Sequence, residues 1–268
     1  MERVWGGARL GPGIGEAWDL SVHPEGLCHI ANGPLEGRTL AEVATEHESA
    51  FGGPLTLLAK RLDCAETLSV QVHPKNRNAK TESWVVLDAK EGAGVYHGFS
   101  RPVTRNDVER AARDATLPEL LRFLAVEPGD AIFVPAGTVH AIGTGVVLFE
   151  LQQSSDTTYR LHDWGRNRPL HIEEALACAA LEPTEPRPAA RRLDNGRTRI
   201  LECEHFYVDR LDEGDIELDP GDSWCALFGP ATLGELSTGE EQTVLVPRAA
   251  GRRRATVGRP GCLLYGPA

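Results

Sequence analysis

Turn-forming residues interrupt this sequence at short intervals and restrict it to short elements of secondary structure. The 268 residues include 28 Gly and 18 Pro, the two residue types that most strongly punctuate helices and strands. Several segments between them alternate apolar and polar residues or are rich in β-branched residues, as in "TLSVQVHP", "TESWVVLDA" and "GVVLFELQQ". Such segments are typical of strands. Many short strands in one chain favour a β-sandwich or a β-barrel.

A few segments predict helices beside this β-structure. In "GRTLAEVATEH", Thr39 and Glu42 have capping-box spacing at the start of a helix. The segment "TRNDVERAARDATLPELLRFL" predicts a helix capped by Thr104 or Asn106 and broken at Pro118. A third helix is predicted for "HIEEALACAAL".

A Pro-rich, charged stretch, "EPTEPRPAARR", predicts a domain boundary. Residues 1–181 are then a helix-decorated β-barrel domain and residues 182–190 a linker. Residues 191–268 are again rich in strand-like segments and predict a second, smaller β-domain. The predicted class is therefore mainly β, with a few peripheral helices.

Composition excludes several other classes of protein. The chain is 41% hydrophobic and 25% charged, with a net charge of −11, which disfavours nucleic acid or an anionic membrane as a partner. No apolar run approaches the ~20 residues that span a bilayer, and "MERVWGGARL" contains no signal-peptide pattern. The six cysteines are scattered and predict reduced thiols. We therefore expect a cytoplasmic protein, and the acidic balance does not exclude a small anionic substrate. The expected assembly is a monomer or a small homo-oligomer.

Three predicted strands each place polar or ionisable side chains on a single face. Because strand side chains alternate, the shared faces are Ser69, Gln71 and His73; Lys80, Glu82 and Trp84; and Thr158, Arg160 and His162. One such strand alone is more often an ordinary solvent-exposed face. The segment "PAGTVH" favours a metal site instead. There the tight turn Pro135-Ala136-Gly137 precedes His140, as in the second half of the cupin signature, whose histidine ligates a metal inside a small β-barrel.

The first half of that signature, commonly H-x-H followed by Glu, corresponds here to Gln71-Val72-His73 and Glu82. With Q-V-H-P, K-T-E-x-W, P-A-G-T-V-H-A-I and "QQSSDTTYRLHDW", the sequence resembles the class I mannose-6-phosphate isomerases. "VWGGARL", "GEAWDLSVHPEG" and "ANGPLEGRTLAE" also match, so the resemblance runs from about residue 4 to 168. It implies two cupin-like (jelly-roll) β-barrels in a short bacterial-type architecture, without the helical domain of longer members. The second barrel lacks the metal motif. Where the family usually has acidic residues after Q-V-H-P, this sequence has "KNRN".

The resemblance also implies the site. Its zinc ligands would be Gln71, His73, Glu82 and His140, for one Zn²⁺ per chain. Gln71 would either ligate the ion or hydrogen-bond a water bound to it. The catalytic cations would be Lys80 and Arg160. Ser69, Trp18 and Glu150 would bind the substrate.

The implied reaction interconverts mannose 6-phosphate and fructose 6-phosphate through a cis-enediol(ate). Lys80, Glu150 and a zinc-bound water all remain candidates for the base. Two other hypotheses also remain open. One is a metal cupin acting on another sugar phosphate or a nucleotide-linked sugar, and the other is a cupin that binds a sugar without catalysis.

Overall fold

A computed structural model of the chain describes residues 1–194 and 196–268. These residues divide into two compact units, one formed by residues 1–17 and 59–187 and the other by residues 18–58 and 188–268. Most of the second unit follows the predicted linker, but residues 18–58 also belong to it. One contact within this unit joins its two chain segments, since Arg248 donates a hydrogen bond to the Ser49 carbonyl at 3.2 Å. The contiguous domains 1–181 and 191–268, with a 182–190 linker, stay a prediction.

Two sheets form the first unit. Their strands are β1 (Glu2–Gly7), β2 (Glu16–Leu20), β3 (Leu57–Cys64), β4 (Val70–Val72), β5 (Glu82–Ala89), β6 (Gly94–Phe99), β7 (Leu121–Ala125), β8 (Ala131–Val134), β9 (His140–Ile142), β10 (Val146–Gln153) and β11 (Tyr159–His162). The six-stranded sheet has the order β1-β3-β10-β5-β8, with β2 also paired to β3, and the five-stranded sheet has the order β11-β4-β9-β6-β7. The chain crosses between the two units within β2 and β3.

An apolar core lies between these two sheets. It contains Trp84 and Leu148 from the first sheet and Val95 and Ile142 from the second. A separate apolar cluster covers the outer face of the five-stranded sheet. There Val70 packs with residues of two helices, α3 and α4, whose bounds are given below. In the five-stranded sheet, one face therefore points into the sandwich and the other towards the helices.

The second unit is built in the same way. Its strands are β12 (Arg191–Arg192), β13 (Arg197–Glu202), β14 (Phe206–Leu211), β15 (Gly214–Leu218), β16 (Trp224–Phe228), β17 (Ala231–Leu233), β18 (Leu236–Ser237), β19 (Thr243–Pro247), β20 (Arg253–Val257) and β21 (Cys262–Pro267). They form sheets of order β12-β13-β14-β21-β16-β19 and β15-β20-β17-β18. A core that includes Leu218, Leu227 and Leu264 packs between them.

The helices are short. They are α1 (Leu40–Glu46), α2 (Glu48–Phe51), α3 (Arg105–Arg113) and α4 (Ile172–Cys178), with 3-10 turns at Gly33–Leu35, Leu117–Leu120 and Arg248–Ala250. None of the helices in the described ranges is long and apolar enough to cross a membrane.

The predicted capping box at Thr39 is present, and of the two predicted caps of the second helix it is Thr104 that caps α3, also in a capping box. The Thr39 hydroxyl accepts from the Glu42 amide and the Glu42 carboxylate accepts from the Thr39 amide, and Thr104 and Asp107 repeat this arrangement at α3. The end of the second predicted helix is different. Ala115 takes a left-handed φ of 59°, and residues Leu121–Ala125 pair as β7 with β6. Strand pairing supplies the backbone partners that a continued helix would have provided.

Candidate active site

The strands of the five-stranded sheet bring the two halves of the cupin signature together. β4 pairs antiparallel with β9, and Gln71 stands directly opposite His140. Val70 and Val72 are fully buried beneath the helices, so Gln71 and His73 face the other way, as the alternation predicts.

The turn before His140 is fixed to the end of β4. The Gly137 amide donates to the His73 carbonyl at 2.9 Å, and Gly137 has a φ of +87°. A Cβ at Gly137 would lie 1.9 Å from Lys75 Cε and 2.8 Å from the Cys178 carbonyl oxygen. The turn therefore needs glycine for its backbone conformation and for space.

We expect Gly137→Ala to lower the free energy of unfolding by about 2–4 kcal/mol, through left-handed strain and displacement of its neighbours. Gly92→Ala is the matched control, because Gly92 also has a positive φ, +74°, but no atom lies within 4 Å of the point that its Cβ would occupy. Urea denaturation of both variants measures the difference. Equal losses would show that crowding at Gly137 is unimportant.

Hydrogen bonds to the backbone orient both histidine rings. His73 Nδ1 lies 2.9 Å from the Thr157 carbonyl oxygen, and His140 Nδ1 lies 2.8 Å from the Thr138 carbonyl oxygen. A carbonyl oxygen only accepts, so each Nδ1 carries the proton and each neutral ring presents its Nε2 lone pair. Backbone partners of this kind are typical of metal-ligating histidines.

Glu82 projects from β5 of the opposite sheet towards both Nε2 atoms. Its Oε1 is 3.3 Å from His140 Nε2, and its Oε2 is 3.4 Å from His73 Nε2. All three residues are only 1% exposed. Their ligand atoms lie within 4.8 Å of one another.

The protonation states of this cluster favour a cation between its members. Burial and the Lys80 ammonium lower the pKa of His73 to about 4, and burial also lowers the pKa of His140. Burial opposes ionisation of Glu82, but the Lys80 ammonium holds the Glu82 pKa well below its usual value. Two neutral imidazole lone pairs and a carboxylate therefore converge in a buried space, with no proton shared between them. This donor set suits a divalent metal such as zinc.

Lys80 contributes positive charge to the same space. Its Nζ is 2.8 Å from Glu82 Oε2 and 3.5 Å from Glu150 Oε1, and 3.3 Å from His73 Nε2. Glu150 is fixed on its other side by Trp84 Nε1, which donates to Oε2 at 2.9 Å. The structure thus brings two predicted site residues, Lys80 and Glu150, next to the His-Glu-His cluster.

Two further buried charges extend this network and have no counterpart among the predicted site residues. Lys60 Nζ lies 3.1 Å from Glu150 Oε1 and 3.7 Å from Glu16 Oε2. Burial lowers the pKa of Lys60, but Glu150 and Glu16 outweigh this effect and raise it overall. The available signal was a lysine inside the apolar run "LTLLAKRLD". Every residue of β3 is in fact buried.

Gln71 and Ser69 lie at the edge of the cluster. Gln71 Nε2 is 3.4 Å from His140 Nε2, and Gln71 Oε1 accepts from the Ser69 hydroxyl at 3.2 Å. In this orientation Gln71 presents its amide nitrogen to His140, so ligation through Oε1 would require the amide to turn over. Both residues are near the cluster, and their roles stay predictions.

Arg160 lies on β11, directly opposite Gln71 of β4. Directly opposed residues of an antiparallel pair project from the same side of the sheet, so Arg160 and Gln71 share a face.

Trp18 belongs to the second unit. Its ring makes an edge contact with His23 at a centroid distance of 6.0 Å, and its predicted contact with the sugar stays a prediction.

Known proteins resemble this chain over nearly its whole length. A family model described as "Phosphomannose isomerase type I, catalytic domain" matches residues 11–97. The mannose-6-phosphate isomerase of Streptococcus mutans is 33% identical, over 91% of this chain and 86% of its own. The mannose-6-phosphate isomerase ManA of Bacillus subtilis is 34% identical, over 78% of this chain and 76% of its own.

Solved structures match the fold equally well. The mannose 6-phosphate isomerase of Bacillus subtilis superposes with a TM-score of 0.87 at 28% identity, covering 99% of this chain and 96% of that one. A zinc-bound mannose 6-phosphate isomerase superposes with a TM-score of 0.80 at 18% identity, covering 100% and 97% of the two chains. The latter shows likeness of fold.

The sheet sandwiches and the buried His-Glu-His cluster define a cupin, which confirms the predicted fold class. The chain belongs to the type I mannose-6-phosphate isomerase family, an enzyme family. The resemblance found in the sequence motifs is thereby confirmed.

Proposed function

We propose that this chain interconverts mannose 6-phosphate and fructose 6-phosphate with one bound zinc ion. The observation that carries the proposal is the convergence of two neutral imidazoles and a carboxylate at the position of the family's signature motifs. Curated relatives named mannose-6-phosphate isomerase support the substrate assignment.

His73, Glu82 and His140 would hold the ion, with Gln71 as the fourth ligand or as a partner of bound water. Zinc sites made of histidine and carboxylate with room for an exogenous ligand are typical of catalytic zinc, whereas structural zinc more often uses cysteine. A zinc-bound structure with the same fold supports this choice of metal. Bound there, zinc would supply Lewis acidity towards the oxygens of the sugar.

The remaining site residues would move the proton and bind the anionic end of the substrate. Isomerisation removes a proton from the carbon next to the carbonyl, forms a cis-enediol(ate), and returns a proton to the neighbouring carbon. Lys80 and Glu150, which are in contact at 3.5 Å, are the chain's own candidates for this transfer. Arg160 would bind an anionic oxygen of the substrate, with Ser69 and Trp18 as further contacts.

A coupled assay of mannose 6-phosphate conversion to fructose 6-phosphate tests the proposal. Removing metal with a chelator should lower the rate at least about a hundredfold, because a catalytic metal contributes several kcal/mol to the barrier. Zinc should restore it. No turnover by the zinc-reconstituted protein would contradict the proposal.

Other aldose phosphates in the same assay test specificity. A larger kcat/KM for another sugar phosphate would identify that sugar as the preferred substrate, and the reaction would still be an aldose–ketose isomerisation. Binding of mannose 6-phosphate without conversion would instead favour the non-catalytic hypothesis.

A further inference from the structure

The segment that follows β11, residues 163–171, folds back onto Arg160. Arg160 Nη1 donates to the Pro169 carbonyl at 2.9 Å, and the Arg160 amide donates to His171 Nδ1 at 3.1 Å. The His171 amide returns a hydrogen bond to the Arg160 carbonyl at 2.7 Å. Both the backbone and the guanidinium of Arg160 are therefore held by the end of this segment.

An ion pair between a buried aspartate and a partly exposed arginine fixes the segment itself. Asp163, whose side chain is 2% exposed, accepts from Arg168 Nε at 2.8 Å and from Arg168 Nη2 at 2.5 Å. This two-point geometry is the most directional that an arginine and a carboxylate can form. Arg168 immediately precedes Pro169, so the pair sets the place of the carbonyl that binds Arg160.

Arg166 anchors the same carboxylate to the neighbouring strand region. Its Nε donates to Asp163 Oδ1 at 3.2 Å, and its Nη2 donates to the Thr67 carbonyl at 2.8 Å. Asp163 therefore keeps one arginine partner when the other is removed. Replacing Arg168 alone leaves this second anchor in place.

The charges around Arg160 also favour an ion pair between Asp163 and Arg168. Burial and the neighbouring Arg168 lower the pKa of Arg160, while Asp163 acts in the opposite direction. Burial opposes ionisation of Asp163, but Arg168 and Arg166 hold the Asp163 pKa below its usual value. An ionised Asp163 offsets the charge of two arginines that would otherwise repel Arg160.

Arg160 retains an unused donor. Its Nε is buried and has no hydrogen-bond partner among the residues that the structure describes. A buried donor without a hydrogen-bond partner is energetically unfavourable, so an oxygen of a bound ligand would relieve this cost. Because Arg160 stands opposite Gln71, this donor belongs to the same side of the sheet as the proposed metal site.

We propose that Asp163 and Arg168 form a positioning pair that orients the Arg160 guanidinium, through the Pro169 carbonyl, to bind an anionic oxygen of the sugar phosphate. The inference rests on the proposed function for its substrate. Neither Asp163 nor Arg168 would touch the reacting atoms. Their effect on catalysis passes through Arg160.

A double-mutant cycle tests the dependence on Arg160. Arg168→Gln should lower kcat/KM for mannose 6-phosphate about tenfold in the presence of Arg160, because the effects of residues that act through one another are coupled. In an Arg160→Lys background, whose side chain lacks the guanidinium fork, the same change should cost less than about twofold. Equal losses in both backgrounds would overturn the proposal, because a general structural role is additive.

Arg113→Gln is the matched control. Arg113 forms an exposed ion pair with Glu109, with an arginine side chain 61% exposed. The Arg113→Gln substitution should leave kcat/KM unchanged. Metal content and thermal unfolding of Arg168→Gln should stay close to wild type, because Arg168 is 32% exposed and Asp163 keeps Arg166. A loss of metal in Arg168→Gln would contradict a role confined to Arg160.

Crystal structures separate this proposal from the proposed function. Even if the wild type did not convert mannose 6-phosphate, Arg160 Nη1 should bond Pro169 in the wild type and leave it in Arg168→Gln. An unchanged contact in the variant would overturn the positioning role. If Arg160 were displaced in Arg168→Gln but the wild type had no isomerase activity, the substrate assignment would be wrong and the positioning role of the pair would still hold.

Discussion

Replacing His140 with alanine is expected to remove bound metal and isomerase activity together. His140 presents its Nε2 lone pair to Glu82 at 3.3 Å, and the ring orientation is fixed by the Thr138 carbonyl. Without it, one imidazole and one carboxylate remain of the buried three-residue cluster. We expect less than about 0.1 metal ions per chain and a fall in kcat of at least about 10³-fold, since both metal retention and Lewis acidity depend on the ligand set. Elemental analysis and the coupled assay measure the two quantities on the same preparation.

His97 provides the matched control for loss of a buried histidine. It stands directly opposite His140 on β6 and is fully buried. Its Nε2 lies 2.8 Å from the Phe133 carbonyl and its Nδ1 lies 3.4 Å from the Thr184 hydroxyl. Protein groups thus contact both ring nitrogens, so His97→Gln should lower stability and leave metal content near wild type. Zinc at one per chain in His140→Ala would show that the proposed ligand set is wrong.

The convergence of His73, Glu82 and His140 could be predicted from short motifs, and their role as metal ligands stays a prediction. Alternation within one strand placed Gln71 and His73 on a common face, and the turn at Gly137 located His140. The Thr39 capping box was readable for the same reason, since its two partners are three residues apart. The family resemblance then ordered these local signals into one site.

Long-range pairing could not be predicted in the same way. Residues 121–125 contain apolar side chains that suit either a helix or a strand, and pairing with β6 decides for the strand. Lys60 gave only the weak signal of a charge inside an apolar run. Its partners Glu16 and Glu150 are distant in sequence, so the function of that charge follows from the sheet arrangement alone.

Lys60→Met is therefore the second change for which we expect a large effect, in this case on stability. Methionine has an apolar side chain of about the length of the lysine stem. The substitution therefore removes only the ammonium, which contacts Glu150 at 3.1 Å and Glu16 at 3.7 Å. Breaking a buried ion pair by removing one partner costs about 3–5 kcal/mol, because the other charge is left without compensation. Glu16 keeps Arg3 at 3.1 Å, so we expect a loss of about 3 kcal/mol in the free energy of unfolding.

Urea denaturation at pH 7 measures this loss in full. The carboxylates outweigh burial and raise the pKa of Lys60 above its usual value of 10.5. A raised lysine pKa contributes stability that is fully present below the unfolded-state value and is lost only as the pH rises through the folded-state value. Lys90→Met, at an exposed position, should change stability by less than about 0.5 kcal/mol.

A second substitution distinguishes lost charge from lost packing. If the cost of Lys60→Met comes from an uncompensated carboxylate, adding Glu150→Gln should recover part of the stability, because the amide removes the buried charge and keeps the shape. If the cost came from the packing of the lysine stem, the two losses would add. Additive losses would mean that Glu150 does not need Lys60, and that Lys80 at 3.5 Å is sufficient to compensate it.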